Sequence, residues 1–260
     1  MGEADAMKNR VLRELSRIEG QHKVRILLAV ESGSRAWGFA SPDSDYDVRF
    51  IYAHEQGWYL SVLERRDVIE EMLPERLDIN GWDLRKTLRL FSKCNLALNE
   101  WLGSPITYSE ISEFRNRFLQ LIPNYFNPIA AMHHYRSMAD RAIVENLVND
   151  CIGIKKLFYV LRPLLACRWI EHTGTQPPTE FQKLIGSAWL SSDEKNWIAR
   201  LLEKKSLANE AQTISVDRPR VETIQAELER YKSAAELVAV PTKSNIVELD
   251  EFFREWIERT

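Results

Sequence analysis

The segment ESGSRAWGFASPDSDYDVRF, residues 31–50, contains the pattern on which the fold prediction depends. It follows KVRILLAVE (residues 23–31), a short apolar run whose branched residues predict a buried strand. Gly33 and Ser34 then open a stretch of Gly, Ser and Pro, which indicates a turn with a helical turn from Ser34. The alternation in DYDVRFIYA, residues 45–53, predicts a second strand. The pattern is therefore strand, turn, strand.

Two carboxylates share one face of this second strand. Because strand side chains alternate, Asp45 and Asp47 point the same way, together with Arg49. Like charges about 4 Å apart cost roughly 4 kcal/mol at an effective dielectric of 20, so a cation between them is expected. Mg²⁺ uses one or two carboxylates plus substrate phosphates. The alternative is an ordinary Asx-rich turn in which Asp43 and Asp45 bond the local backbone.

A third acid on a neighbouring strand would complete a cup for two metal ions. RLDIN, residues 76–80, reads as a strand with Asp78 opposite Leu77 and Ile79. The competitor is Asp83, which stands where a helix begins and so reads as a cap or first-turn acid. Asp78 is the favoured candidate.

The Gly-Ser turn supplies the other half of a polyphosphate site. Glycine lets a backbone approach an anion, and N–H groups at the start of a helical turn, with the Ser34 hydroxyl, form a phosphate cradle. The hypothesis is that Gly33 and Ser34 hold the phosphates while metals on the acids bridge them. Arg35 follows the turn and joins the nucleotide-binding candidates. Arg49 pairs either with the acids or with phosphate, and pairing with the acids is the plainer interpretation.

Strand candidates cluster in the first half of the chain and helical periodicity in the second. PNYFNP, bracketed by Pro123 and Pro128, reads as a linker. We therefore expect a catalytic domain at residues 1–122 and a helical bundle at residues 128–260. Helical periodicity is present at residues 7–20, 129–148, 150–171, 190–207, 217–238 and 246–258.

The run GSRAWGFASPDSDYDVRF, residues 33–50, resembles the signature of the DNA polymerase β-like nucleotidyltransferase superfamily. The wider sequence is similar to one branch, the YcgL-type predicted nucleotidyltransferases, also called RNA-ligase-associated polymerase-β-like proteins. The similarity continues through residues 78–108 and 155–171 and covers the chain to about residue 185. One departure is Leu96, where relatives often have proline after the asparagine.

This resemblance implies an α+β fold, in which a mixed nucleotidyltransferase sheet with flanking helices precedes an all-helical C-terminal domain. It implies a nucleoside triphosphate such as ATP as donor and two Mg²⁺ ions, with Mn²⁺ as an alternative. It also supports Asp45, Asp47 and Asp78 as the catalytic, metal-binding acids. The expected reaction transfers a nucleoside monophosphate to an acceptor hydroxyl and releases pyrophosphate. The expected acceptor is an RNA end in an RNA repair setting, and a protein side chain or a small molecule as acceptor stays open.

A second group of candidates lies in CIGIKKLFYVLRPLLACRWIE, residues 151–171. Lys155, Tyr159 and Arg162 follow at i, i+4 and i+7 and so share one helix face. Next to a triphosphate site, these side chains suit phosphate binding and stacking. The alternative is a solvated face with extended lysine side chains.

Bulk properties limit the other function classes. A net charge of −3 over 260 residues argues against a basic nucleic-acid coat, and no apolar run approaches a membrane span. The N-terminus lacks a signal-peptide core, and three widely spaced cysteines read as buried, reduced thiols, so we expect a cytoplasmic protein. The alternative functions are a catalytically weak nucleotide-binding scaffold and nucleotidylation of a partner protein. The oligomeric state stays open.

Overall fold

The computed structural model describes residues 3–41, 43–207, 212–234 and 246–260. It divides into two compact units. The first, called here the sheet unit, comprises Met1–Ala36, Asp45–Tyr125 and Lys243–Thr260. The second, the helical unit, comprises Trp37–Ser44 and Phe126–Thr242. This division differs from a single boundary at residues 122–128, because residues 37–44 join the helical unit and the C-terminal segment joins the sheet unit.

The sheet unit is built on one five-stranded mixed sheet with the order β3-β4-β2-β1-β5. Its strands are β1 (Val24–Glu31), β2 (Tyr46–His54), β3 (Val68–Leu73), β4 (Leu77–Asp83) and β5 (Thr107–Glu110). Strands β2 and β4 are parallel, and the other pairs are antiparallel. The predicted α+β class with a mixed sheet is confirmed, and three of these strands are those expected from residues 23–31, 45–53 and 76–80.

Helices cover both faces of this sheet. They are α1 (Glu3–His22), α2 (Gly33–Trp37), whose last residue belongs to the helical unit, α3 (Gln56–Tyr59), α4 (Leu84–Phe91), α5 (Leu96–Leu102), α6 (Ser112–Tyr125) and the C-terminal α12 (Ile246–Glu258). The apolar stripe of α1 packs with Val48 and Phe50 on one face. Residues of α4, α5, α6 and α12 pack with Val30 and Ile51 on the other. Because both faces are covered, residues Phe50, Ile51, Tyr52 and Ala53 of β2 are buried.

The helical unit contains α7 (Pro128–Asn146), α8 (Ile154–Thr173), α9 (Phe181–Ile185), α10 (Ser192–Leu207) and α11 (Arg218–Ala234). It also contains a two-stranded antiparallel sheet of β6 (Cys151–Gly153) and β7 (Thr213–Ser215). The prediction of an all-helical C-terminal domain is therefore wrong in this detail, because two segments of three residues pair with each other. Residues 235–238, which end one predicted helix, lie outside the described residues.

The predicted linker is shorter than its two prolines suggest. Pro123 lies inside α6, and Pro128 occupies the first turn of α7, where proline is tolerated because its missing N–H would be unpaired there. Asn127 caps α7 by accepting a hydrogen bond from the Ala130 N–H. Only residues 126–127 separate the two helices.

Two further expectations concern cysteines and membranes. All three cysteines carry free thiols, and Cys94 and Cys167 are buried as predicted, whereas Cys151 is exposed at the start of β6. Within the described residues, none of the helices is both long and apolar enough to span a bilayer.

Candidate active site

The Gly-Ser turn packs directly against the Asp47 carboxylate. Strand β1 ends at Glu31, and the Ser32 N–H donates to the Asp47 carbonyl at 2.8 Å before α2 begins at Gly33. Gly33 has φ +60°, and a Cβ added there would lie 2.2 Å from Asp47 Oδ2. Backbone conformation and space therefore both require glycine at this position.

Asp47 and Asp78 stand side by side on the parallel strands β2 and β4, where they are partners in register. One nitrogen of Arg49, Nη2, donates to Asp47 Oδ1 at 3.0 Å and to Asp78 Oδ2 at 2.8 Å. Nη1 of the same guanidinium donates to the Val48 carbonyl at 3.1 Å. The prediction that Arg49 pairs with the acids is confirmed. A single cation therefore holds two carboxylates that would otherwise repel each other.

Asp45 lies one residue before β2 and is exposed. Its carbonyl accepts a hydrogen bond from Arg35 Nε at 3.0 Å, and the Arg35 guanidinium lies 3.7 Å from the centre of the Tyr46 ring. Arg35 thus anchors the start of β2. In the part of the chain that the structure describes, no three His, Cys, Asp or Glu side chains converge closely enough to hold a metal ion. The structure brings Asp47 and Asp78 together and does not place Asp45 with them.

The divalent metal that the resemblance implies can be tested against this pair. Hard cations prefer carboxylate oxygens, and two carboxylates from neighbouring strands supply them. One oxygen of each already lies within 3.0 Å of a single positively charged nitrogen. The donor chemistry and the proximity of the two acids therefore fit a divalent cation.

Glu31 is a functional candidate that sequence reasoning missed. It is fully buried at the end of β1, where its Oε1 accepts a hydrogen bond from the Asp47 N–H at 2.8 Å. Its Oε2 accepts one from the Tyr108 hydroxyl. Burial raises the pKa of Glu31 to about 7, although both hydrogen bonds favour the charged form. The available signal was an acid ending an otherwise apolar strand, LLAVE.

Asp83, the competing candidate for the third acid, has a structural role. It is buried as the N-cap of α4, where it accepts from the Arg85 N–H at 2.8 Å and from the Tyr59 hydroxyl at 2.7 Å. Burial raises its pKa. The helix-cap interpretation of Asp83 is confirmed, and Asp78 is the acid that lies beside Asp47.

The second group of candidates lies on α8 in the helical unit. Lys155 and Tyr159 are half-buried, whereas Arg162 is buried. The Arg162 guanidinium lies 4.4 Å from the centre of the Trp37 ring, and Tyr159 meets the same ring edge-on at 5.7 Å. Arg162 and Tyr159 therefore both pack on Trp37, which ends the helix that Gly33 begins.

Comparison with known proteins identifies similar proteins that match nearly the whole chain. The model of the RNA repair pathway DNA polymerase beta family (RlaP) matches residues 7–255. The chain is 44% identical over 252 residues to a protein of Bacillus subtilis (strain 168) described as uncharacterized protein YcgL, covering 97% of both. It is also similar to a crystal structure of a nucleotidyltransferase-like protein from Exiguobacterium sibiricum 255-15, with 11% identity and a TM-score of 0.32. That match covers 86% of this chain and 75% of the other, and it is too weak to support an inference.

The predicted resemblance to the YcgL-type, polymerase-β-like proteins is thereby confirmed along most of the chain. The glycine turn and the paired Asp47 and Asp78 lie within the matched residues. The chain belongs to the RNA repair pathway DNA polymerase beta family.

Proposed function

We propose that this protein is a divalent-metal-dependent nucleotidyltransferase. It transfers a nucleoside monophosphate from a nucleoside triphosphate to an acceptor hydroxyl and releases pyrophosphate. The observation that carries the proposal is the pairing of Asp47 with Asp78 in register, with Gly33 packed against the Asp47 carboxylate. Paired carboxylates beside a glycine turn suit metal-assisted transfer from a polyphosphate.

Each residue of the site has a role in this proposal. Asp47 and Asp78, joined by Asp45, would hold Mg²⁺ or Mn²⁺, and the bound ions would neutralise phosphate charge and activate the acceptor hydroxyl. Backbone N–H groups of the turn at Gly33 and the Ser34 hydroxyl would bind phosphate oxygens.

Other side chains keep the acids in position. Arg49 neutralises Asp47 and Asp78 before a metal binds, through its two contacts to their oxygens. Glu31 holds the Asp47 backbone through its hydrogen bond to the Asp47 N–H. Arg35 fixes the start of β2 through the Asp45 carbonyl, which orients the loop that carries Asp45.

Lys155 and Tyr159 are proposed to bind phosphate groups of the nucleotide or of the acceptor, because both are partly exposed on one face of α8. Arg162 supports them indirectly in this proposal. Its guanidinium is buried against Trp37, and it lies within 3.5 Å of the Thr179 carbonyl, so it stabilises the ring on which Tyr159 packs.

An RNA end is the proposed acceptor. The description of the family places it in an RNA repair pathway, which favours RNA over a small molecule. Nucleotidylation of a partner protein is the competing reaction, and a nucleotide-binding scaffold is the competing class. The paired acids argue against the scaffold. Two like charges held close together repel each other, and this arrangement benefits a metal-dependent catalyst but not a scaffold.

The proposal is tested by incubating the protein with each α-labelled nucleoside triphosphate, Mg²⁺ and either RNA with a free end or a lysate protein fraction. Label on RNA that disappears in Asp47→Asn and Asp78→Asn supports it. Glu71→Gln is the matched control, because Glu71 has a similar exposure on β3 but pairs with Arg17 of α1, on the other face of the sheet. Label on protein alone would select the competing reaction, and no metal-dependent transfer would contradict the proposal.

A further inference from the structure

One cavity of the sheet unit lies away from the paired acids. It has a volume of about 460 Å³, which falls within the ~300–1,000 Å³ typical of ligand sites. Tyr52 and His54 of β2 line it. His54 follows Asp47 by seven positions along β2, a distance of about 23 Å at ~3.3 Å per residue. Strand alternation also places Tyr52 and His54 on the face of β2 opposite to Asp47. The cavity is therefore distinct from the candidate active site.

Stacked aromatic rings form one wall of this cavity. The rings of His54 and Trp58 lie 3.9 Å apart between centres, with 8° between their planes. Burial, with a contribution from Arg65, lowers the pKa of His54 to about 4, so the imidazole is neutral at physiological pH. Trp58 is half-buried, which leaves part of its indole at the cavity. Such a wall suits a planar heteroaromatic ring.

A hydroxyl in the wall of the cavity lacks a partner. Tyr52 is fully buried, yet within the described ranges its hydroxyl makes no hydrogen bond. Burial raises the pKa of Tyr52, so the group remains a protonated donor. Buried polar groups in native proteins are nearly always satisfied, and an exception calls for an explanation. A polar ligand atom in the cavity would provide one.

Charged side chains stand at the cavity mouth. The exposed Arg65 guanidinium lies 5.7 Å from the centre of the Trp58 ring. Among the residues that the structure describes, it forms neither a hydrogen bond nor an ion pair with another side chain. Arg66 also lines the cavity and pairs with Glu70. An anion beside Arg65 would gain a fork of donors.

We propose that this cavity binds a nucleotide unit, either a free mononucleotide or one residue of an RNA strand. The base stacks against the Trp58 and His54 wall, and its edge accepts the hydrogen bond of the Tyr52 hydroxyl. The phosphate lies at Arg65. This site goes beyond the proposed transfer reaction and does not depend on it.

The test measures binding of AMP, GMP, CMP and UMP, and of a short single-stranded RNA, by titration calorimetry in EDTA. EDTA keeps metal-dependent binding at Asp47 and Asp78 from contributing. A Kd tighter than about 1 mM for one mononucleotide supports a free nucleotide as the ligand. If the RNA binds and none of the mononucleotides does, the ligand is one residue of an RNA strand.

Two variants test whether the ligand binds in this cavity. Tyr52→Phe removes one buried oxygen and is expected to raise the Kd about fivefold to tenfold, and Arg65→Ala about tenfold. Arg89→Ala is the control, because Arg89 is an exposed arginine of the same unit that does not line this cavity. Thermal melting of each variant verifies folding. The proposal is overturned if neither nucleotide nor RNA binds, or if the Kd is unchanged in both Tyr52→Phe and Arg65→Ala. Loss of nucleotide transfer in Asp47→Asn with this binding intact would separate the two sites.

Discussion

Replacing Arg49 with methionine tests whether a cation is needed between the paired acids. Asp47 Oδ1 and Asp78 Oδ2 both lie within 3.0 Å of Arg49 Nη2, so the two oxygens are less than about 6 Å apart. At an effective dielectric near 20, two unit charges at that distance repel by about 3 kcal/mol. Partial exposure of both side chains, 28% and 29%, reduces this figure. We expect Arg49→Met to destabilise the metal-free protein by about 2–3 kcal/mol.

The assay is thermal unfolding in EDTA and in Mg²⁺. For a chain of this size about 1 kcal/mol shifts the melting temperature by roughly 2–4 °C, so the variant should melt about 5–10 °C below the parent in EDTA. Mg²⁺ should restore most of this difference, because the ion takes over the neutralising role of the guanidinium. The parent should respond less, since its acids are already paired with Arg49.

Two further variants test whether the effect is specific to the cation between the paired acids. Arg17→Met removes an arginine that pairs with Glu14 and Glu71. Because Arg17 is more exposed, this substitution should lower the free energy of unfolding by no more than about 1 kcal/mol. Mg²⁺ should raise its melting temperature no more than it raises that of the parent. Arg49→Met combined with Asp47→Asn should be more stable in EDTA than Arg49→Met alone, because one of the repelling charges is gone. Equal melting of Arg49→Met and the parent in EDTA, or an equal response of both to Mg²⁺, would refute the reasoning.

Three other predictions concern single positions around the site. Gly33→Ala should abolish nucleotide transfer and lower the melting temperature, because its Cβ would lie 2.2 Å from Asp47 Oδ2 at a positive φ. Asp83→Ala should destabilise the protein by about 2–4 kcal/mol in urea unfolding, because it loses a helix cap and a buried partner. Transfer per folded molecule should remain. The pKa of Glu31 is about 7 in the folded protein and 4.5 in the unfolded chain. Its contribution to stability is thus complete below pH 4.5 and is lost as the pH rises to 7, up to about 3 kcal/mol. Glu31→Gln should remove this slope from urea unfolding measured in EDTA.

Each of these has an outcome that contradicts it. Gly57→Ala is the control for Gly33→Ala, because a Cβ at Gly57 meets nothing within 4 Å, and equal effects of the two changes would count against close packing at the turn. Loss of catalysis in folded Asp83→Ala would reassign Asp83 to the chemistry. A difference in stability between Glu31→Gln and the parent that stays constant from pH 4.5 to 7 would show that the Glu31 carboxyl has an ordinary pKa.

The sequence alone was sufficient for the local features of the site. Alternation within residues 45–53 placed Asp47 and Arg49 on one face of a strand, because side-chain direction in a strand depends only on position along it. Glycine at position 33 followed from a turn that enters a helix directly after an apolar strand. The cap role open to Asp83 came from the same local signals, and the structure agrees with it.

The tertiary structure decided every relation between distant segments. Asp78 lies beside Asp47 because β2 pairs with β4 in one particular register, and periodicity within a strand carries no information about its partner. The hydrogen bond of Glu31 to the Asp47 N–H depends likewise on how β1 meets β2. Spacing put Arg162 on a helix face available either to phosphate or to solvent, yet its guanidinium is buried against the Trp37 ring. Local sequence sets which way a side chain points, whereas burial and proximity arise from contacts between segments that are far apart along the chain.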